Sequence, residues 1–292
     1  MYIATLIAAD RLNAGDISAA SDCLAVAGCD PGETVWLEAE KAADLAFAED
    51  PAAARAALEG VIAGTDAIVQ PAAHREKKLL VADMDSTMIT VECIDELADY
   101  AGIKPQIAEV TERAMRGELD FAEALDARVA LLENLEESAI DRCLAERVKH
   151  SRGAETLVKT MRARGALTIL VSGGFTRFAE PVGAALGFER VIANRLEIAE
   201  ARLTGTVAKP IVDSGTKQRT LLEARAERVL PVEATLAVGD GANDLSMIRE
   251  AGLGVAYRAK PVVAAAAGAR IDHADLTALL YAQGIARADW VD

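Results

Sequence analysis

Three short apolar runs, residues 79–82, 166–171 and 234–238, each lead into a polar residue: Asp83, Ser172 and, one glycine further on, Asp240. Runs of this length and apolarity, set among helix-length amphipathic segments, predict strands buried on both faces of a parallel sheet. In an open parallel α/β sheet, ligands bind beyond the carboxyl ends of the strands, so these three side chains are expected at one crevice. Helical patterns at 154–164, 217–228 and 245–250 supply the crossovers of a doubly wound, mainly parallel α/β fold. Composition agrees: apolar residues are 52% of the chain but aromatics only 4%, so the core must be built from Ala, Leu, Val and Ile.

The rest of the chain divides around that sheet. Residues 90–150 are helical and charged and interrupt the strand-helix rhythm directly after the first core strand, which predicts an inserted helical cap. Residues 79–89 and 151–292 then form the core, with a hairpin expected at 194–206 from alternating apolar and polar residues. Residues 1–70 alternate apolar runs (2–8, 34–37, 67–69) with Ala-rich helical stretches (16–27, 51–63), the pattern of a small N-terminal α/β module. The turn chemistry and charge of 71–78 mark that stretch as a linker.

Bulk properties exclude several functions. A formal charge of −15 repels polyanions, and no basic run carries interleaved aromatics, so nucleic acid is not expected as a partner. The four cysteines form no C-x-x-C pair, and three histidines give no zinc pattern; free thiols in a reducing cytoplasm are the expectation. The first ten residues are apolar without a basic leader, and no stretch reaches membrane-spanning length, so no membrane association is expected.

The chemistry resides in four short motifs. In Asp83-Met84-Asp85-Ser86-Thr87, two aspartates sit at the end of a strand. One carboxylate can attack phosphorus and hold a hard cation, and the other can reach the far side of the transferred group. Gly239-Asp240-Gly241-Ala242-Asn243-Asp244 is a second strand-end acid pair, the oxygen-rich supply that Mg²⁺ demands. Either cluster alone could be a turn with a helix cap. Ser172-Gly173-Gly174 offers a hydroxyl and open backbone N–H groups, a small anion cradle, although alone it also reads as an ordinary turn. Lys217, on a predicted helix, is the leading cation for phosphate oxygens, whereas without these neighbours it would read as solvated surface.

In order and spacing these four motifs resemble those of the haloacid dehalogenase (HAD) superfamily. The likeness continues through Val91-Glu92-Cys93-Ile94-Asp95-Glu96, Met115-Arg116-Gly117, Phe121 and Arg128, which resemble the phosphoserine phosphatase family within it; it covers roughly residues 77–275. The resemblance implies a Mg²⁺-dependent hydrolase that converts O-phospho-L-serine to L-serine and phosphate, the last step of serine biosynthesis. Asp83 would be the nucleophile, forming an aspartyl-phosphate, and Asp85 the general acid/base. The metal would be held by Asp83, the carbonyl of Asp85 and Asp240, with Asp244 supporting them.

By the same resemblance Ser172, Gly173 and Lys217 would bind phosphate oxygens, and Asn243 would position the site. Crowding beside another carboxylate should keep Asp85 protonated until it gives its proton to the leaving oxygen. Glu92 and Arg128 suit the α-ammonium and α-carboxylate of an amino-acid phosphate, though Glu92 also fits a solvated acidic face and Arg128 a surface ion pair. Met115 and Phe121 would form an apolar lid. Alternatives are another small-molecule phosphatase or phosphotransferase on the same fold, or a metabolite-sensing protein without catalysis. The N-terminal module weakly resembles amino-acid-binding ACT domains and fits a structural or dimerising role equally well; a homodimer is left open.

Overall fold

The computed structural model describes residues 1–291 and, for Met115, the backbone alone. The chain begins with β1 (Tyr2–Ala8), α1 (Ala14–Val26), β2 (Pro31–Glu38), β3 (Ala42–Phe47), α2 (Pro51–Leu58) and β4 (Thr65–Pro71). These strands form an antiparallel sheet in the order β2-β3-β1-β4. Asn13 starts α1 with a capping box: its side chain accepts the Gly15 and Asp16 N–H groups, and Asp16 bonds back to the Asn13 N–H. Strand β3 was not anticipated, because Ala-Ala-Asp-Leu-Ala-Phe has neither β-branched residues nor strict alternation. It is a strand because both its edges are paired, to β1 and to β2.

The second unit comprises β5 (Leu79–Ala82), then α3 (Cys93–Tyr100), α4 (Lys104–Met115), α5 (Phe121–Ala130) and α6 (Ser138–Glu146), then α7 (Ala154–Ala163), β6 (Leu167–Phe175), α8 (Thr176–Leu186), β7 (Arg190–Asn194), the hairpin β8 (Leu196–Ala199) and β9 (Arg202–Val207), α9 (Ser214–Glu227), β10 (Thr235–Gly239), α10 (Leu245–Glu250), β11 (Leu253–Tyr257), α11 (Pro261–Ala266), β12 (Ala269–Ile271) and α12 (Ala278–Ala282). Six strands pair in parallel in the order β12-β11-β10-β5-β6-β7, with apolar clusters on both faces. Strands β5, β6 and β10 are therefore central neighbours. This is the doubly wound α/β sheet anticipated from the sequence, and among the described residues no helix is long and apolar enough to cross a membrane.

Helices α3 to α6 leave and rejoin the core at one point, where the Thr90 N–H donates to the Lys149 carbonyl (3.0 Å) and the Ser151 N–H to the Met88 carbonyl (2.9 Å). The β8–β9 hairpin reaches up to this helical layer: Asn134 N–H bonds to the Leu203 carbonyl, Leu203 N–H to Leu135, and Glu137 N–H to Ala201, each at 2.9 Å.

Residues 71–78 connect the two sheets but do not behave as an exposed linker. The Arg75 guanidinium binds Asp44 (2.5 and 2.6 Å), Thr5 Oγ1 (2.9 Å) and the carbonyls of Ala282 (2.7 Å) and Tyr281 (3.0 Å). Lys77 is buried, donates to the Glu233 carbonyl at 2.8 Å, and burial lowers its pKa to about 8. The charges that suggested solvent exposure are spent on carbonyls and a carboxylate, as buried charges must be. The Asp66 carboxylate accepts N–H groups from Asp272, His273 and Ala274, joining β4 to the far end of the core.

Candidate active site

Where β5 ends, the chain turns through Met84 to Met88, with Ser86 in the left-handed region (φ 55°). This turn directs Asp83 and Asp85 to the same side, into a cavity of ≈ 650 Å³ between the strand ends and the helical layer. The ends of β6 and β10 supply Gly173, Gly174, Asp240 and Asn243 to the same walls, and Glu92, Phe121 and Arg128 line it from the helical side. The side chain of Met115 lies outside the described residues.

The floor is a network of buried charge. Lys217, on the first turns of α9, is 1% exposed and donates to Asp83 and to Asp244 Oδ1 (2.6 Å). Burial opposes its charge, but Asp83 and Asp244 outweigh that and hold the ammonium above its usual range. The other oxygen of Asp244 accepts the Gly241 N–H at 3.0 Å, so both its oxygens are engaged. Asp240 is held by the Thr87 hydroxyl (3.3 Å), a contact for which Thr87 was not singled out.

Four carboxylates surround this one lysine, and three of them, Asp83, Asp85 and Asp240, are pushed upward. Burial, and then Asp244, push Asp83 well above the ordinary carboxylate range despite Lys217. Asp240 is raised to about 6 by burial and then by Asp244. Asp85 is raised to about 7, by burial first and by Glu92 second; its Oδ1 accepts the Cys93 N–H at 3.1 Å. The neutral form expected for Asp85 is favoured, but the charge chiefly responsible is Glu92 rather than the neighbouring Asp83.

Oxygens of Asp83, Asp240 and Asp244 lie within 4.8 Å of one another. An all-carboxylate set with no thiol or imidazole suits a hard divalent cation. Such an ion would also supply the positive charge that the site lacks, so the residues fit a metal. With Asp244 already committed to Lys217 and Gly241, the freer ligands are Asp83 and Asp240.

Ser172 is fully buried, and its Oγ accepts the Gly174 N–H at 2.8 Å, leaving the hydroxyl proton to donate onward. Glycine is required at 174, since a Cβ there would lie 2.8 Å from Asp85 Oδ2 and 3.0 Å from Ser172 Oγ. At 173 a Cβ would sit 3.3 Å from the Phe121 ring, so Phe121 lies over the cradle. A capping box at Asp120 and Glu123 fixes the start of α5, and the helical period places Phe121, Leu125 and Arg128 on one face toward the cavity.

Among the described residues the Arg128 guanidinium has one hydrogen bond, from Nε to the Ala124 carbonyl (3.2 Å). Glu92 accepts from Ser86 Oγ at 2.8 Å. Asp95, one turn beyond Glu92, also lines the cavity and had been passed over within an acidic stretch that reads as a solvated helix face.

The comparisons with known proteins agree with this geometry. The family model described as haloacid dehalogenase-like hydrolase matches residues 80–249. The chain is 44% identical over 242 residues to a phosphoserine phosphatase of Streptomyces coelicolor, covering 82% of this chain and 59% of that protein. It therefore spans little more than half the length of that relative. It is 44% identical over 202 residues to a phosphoserine phosphatase of Idiomarina loihiensis, covering 69% of this chain and 91% of that protein. The crystal structure of a probable phosphoserine phosphatase from Vibrio cholerae superposes with a TM-score of 0.78 at 30% identity, covering 99% of this chain and 87% of that one. With strand-end aspartates and glycines of the anion cradle lining one cavity, with a buried lysine bonded to Asp83 beneath it, and with its family model matched over 80–249, the chain belongs to the haloacid dehalogenase-like hydrolases.

Proposed function

We propose that this protein is a Mg²⁺-dependent phosphatase that hydrolyses O-phospho-L-serine to L-serine and phosphate, the last step of serine biosynthesis. The observation that carries the reading is the arrangement of one cavity: a nucleophile and an acid at the strand ends, with Glu92 and Arg128 lining the same cavity from the helical layer. A phosphoryl group at the strand ends would put the amino-acid moiety beside an acid and a guanidinium, the complements of an α-ammonium and an α-carboxylate. The names of the relatives point to the same substrate.

In this scheme Asp83 attacks phosphorus in line, and the P–O bond to the seryl oxygen breaks. Asp85, its pKa raised to about 7 by burial and by Glu92, gives its proton to that oxygen and then takes one from the water that hydrolyses the aspartyl-phosphate. Lys217, Ser172 and the Gly173 N–H offset charge on the equatorial oxygens. Asp83, the Asp85 carbonyl and Asp240 would hold Mg²⁺, with Asp244 as their support. The ion would supply charge that lets Asp83 stay ionised against an incoming phosphate dianion. Phe121, and by resemblance Met115, would help to exclude water. Asn243 would orient the phosphate from the rim of the cavity. We place the protein in the cytoplasm, in keeping with four unpaired cysteines.

The test is phosphate release from O-phospho-L-serine with and without Mg²⁺, in the wild type and Asp83→Asn, beside a panel of other phosphomonoesters. Selective, metal-dependent turnover that falls by roughly 10⁴-fold or more in the variant supports the reading. Equal turnover across the panel would retain the reaction but overturn the substrate, and no turnover of any ester would overturn both.

A further inference from the structure

We propose that Asn194 is a positioning residue that clamps the two phosphate-binding elements of the site to each other; the role rests on the phosphatase reading above. Asn194 is the last residue of β7, 2% exposed, and its carboxamide is used at both ends. Nδ2 donates to the Gly173 carbonyl at 2.8 Å and lies 3.4 Å from the Val212 carbonyl, while Oδ1 accepts the Val212 N–H at 2.7 Å. Gly173 belongs to the anion cradle. Val212 directly precedes Asp213, which caps α9 by accepting the Thr216 N–H at 2.7 Å, and the backbone N–H of Lys217 donates to the Asp213 carbonyl at 3.1 Å.

A single buried side chain therefore joins the cradle of β6 to the helix that presents the lysine. Neither element can shift without straining a hydrogen bond to a side chain that is itself 2% exposed, where a lost bond is costly to replace. The Gly173 peptide gains most from this: with its carbonyl tied to Asn194 behind it, the adjoining backbone is fixed in front of the cavity. Asn194 does not line the cavity, so it acts on phosphate only through the backbone of Gly173 and the start of α9. A carboxamide is the required group, because donor and acceptor must be presented together. Aspartate has the same shape, but its second oxygen would face the Gly173 carbonyl with no proton between them.

The experiment compares wild type, Asn194→Asp and the milder Asn194→Ser. Three readouts are taken in the presence of Mg²⁺: inorganic phosphate binding by calorimetry, kcat and KM on O-phospho-L-serine, and the thermal midpoint. Displacement of the cradle by a fraction of an ångström to 1 Å should weaken phosphate binding roughly 10-fold and lower kcat/KM by roughly 10- to 100-fold in the folded Asp variant. The Ser variant, which keeps a hydroxyl able to bond one side, should fall between. A purely structural side chain would lower the midpoint and leave both ligand readouts within about twofold, and that result overturns the proposal. If the Asp variant does not fold, the Ser variant is judged by the same criterion; if neither folds, Asn194 is a fold determinant and the proposal fails. A wild type that binds phosphate but hydrolyses no ester would overturn the phosphatase reading. A weakened phosphate affinity in the variants would then still support the clamp.

Discussion

At the floor of the cavity Lys217, Asp244 and Asp83 are 1%, 0% and 5% exposed, the two carboxylates joined through the lysine, whereas on the helical side Glu92 is open to solvent and Phe121 is 37% exposed. Arg128, half-buried on the same side, has among the described residues one hydrogen bond, from Nε to its own helix. The floor is preorganised: its charges are held in low dielectric by partners from two strand ends and the start of α9, where electrostatic stabilisation of a phosphoryl group is strongest. The helical side is more exposed, and among the described residues Arg128 there keeps unused hydrogen-bonding capacity. Under the proposed function, reaction type would belong to the buried end and substrate choice to the open one.

The sharpest way to break this contrast is Lys217→Met, which leaves Asp83 and Asp244 buried without their cation. It should cost about 3–5 kcal/mol of stability and reduce turnover to background, measured by urea unfolding and phosphate release. A variant as stable as the wild type would show that the lysine does not organise the floor.

Removal of metal tests the same end through pH. Burial raises Asp83, Asp85 and Asp240 above their unfolded values, Asp85 to about 7 and Asp240 to about 6. The folded, metal-free protein thus binds more protons than the unfolded chain between about pH 4 and pH 7. The stability tied to those protons is fully present below the unfolded pKa values and is lost as pH rises through the folded ones. Thermal midpoints in a chelator should therefore fall across that window, and Mg²⁺ should raise the midpoint more at pH 8 than at pH 5. An equal shift at both values would remove the carboxylate cluster as the ion's site.

The smallest effect belongs to the open side. Arg128→Lys keeps the charge but loses the planar fork, and should raise KM for O-phospho-L-serine by roughly 10-fold. Turnover of an aryl phosphate should change less than about threefold, and the unfolding midpoint should not move. Equal losses on both substrates would place Arg128 in the chemistry rather than in recognition.

Much of the floor was legible in the sequence, because strand direction and short motifs are local. Asp83, Asp85, Ser172 and Asp240 end or follow apolar runs, and the chain alone tells which way those runs point. The acidic stretch around Glu92 was legible only in part: Asp95 shares the cavity, but nothing in a helix's charge pattern says which face a cavity will meet. Strand β3 and the bonding of the 71–78 segment were not legible for a related reason. Neither local pattern announces its partners, and pairing with distant residues decides both.

By itself, the sequence determined a parallel α/β sheet with two acid pairs and a glycine cradle at its strand ends. Only the tertiary structure decided which charges are buried and what each is bonded to. Lys217 meets Asp83 across 134 positions of chain and Asp244 across 27, Asn194 joins the cradle to α9, and Asp85 owes its raised pKa to burial and to Glu92. Spacing along a chain fixes what a backbone can present, but pKa values and buried hydrogen bonds depend on the dielectric and on partners that come together only when the sheet, its crossovers and the helical layer are packed.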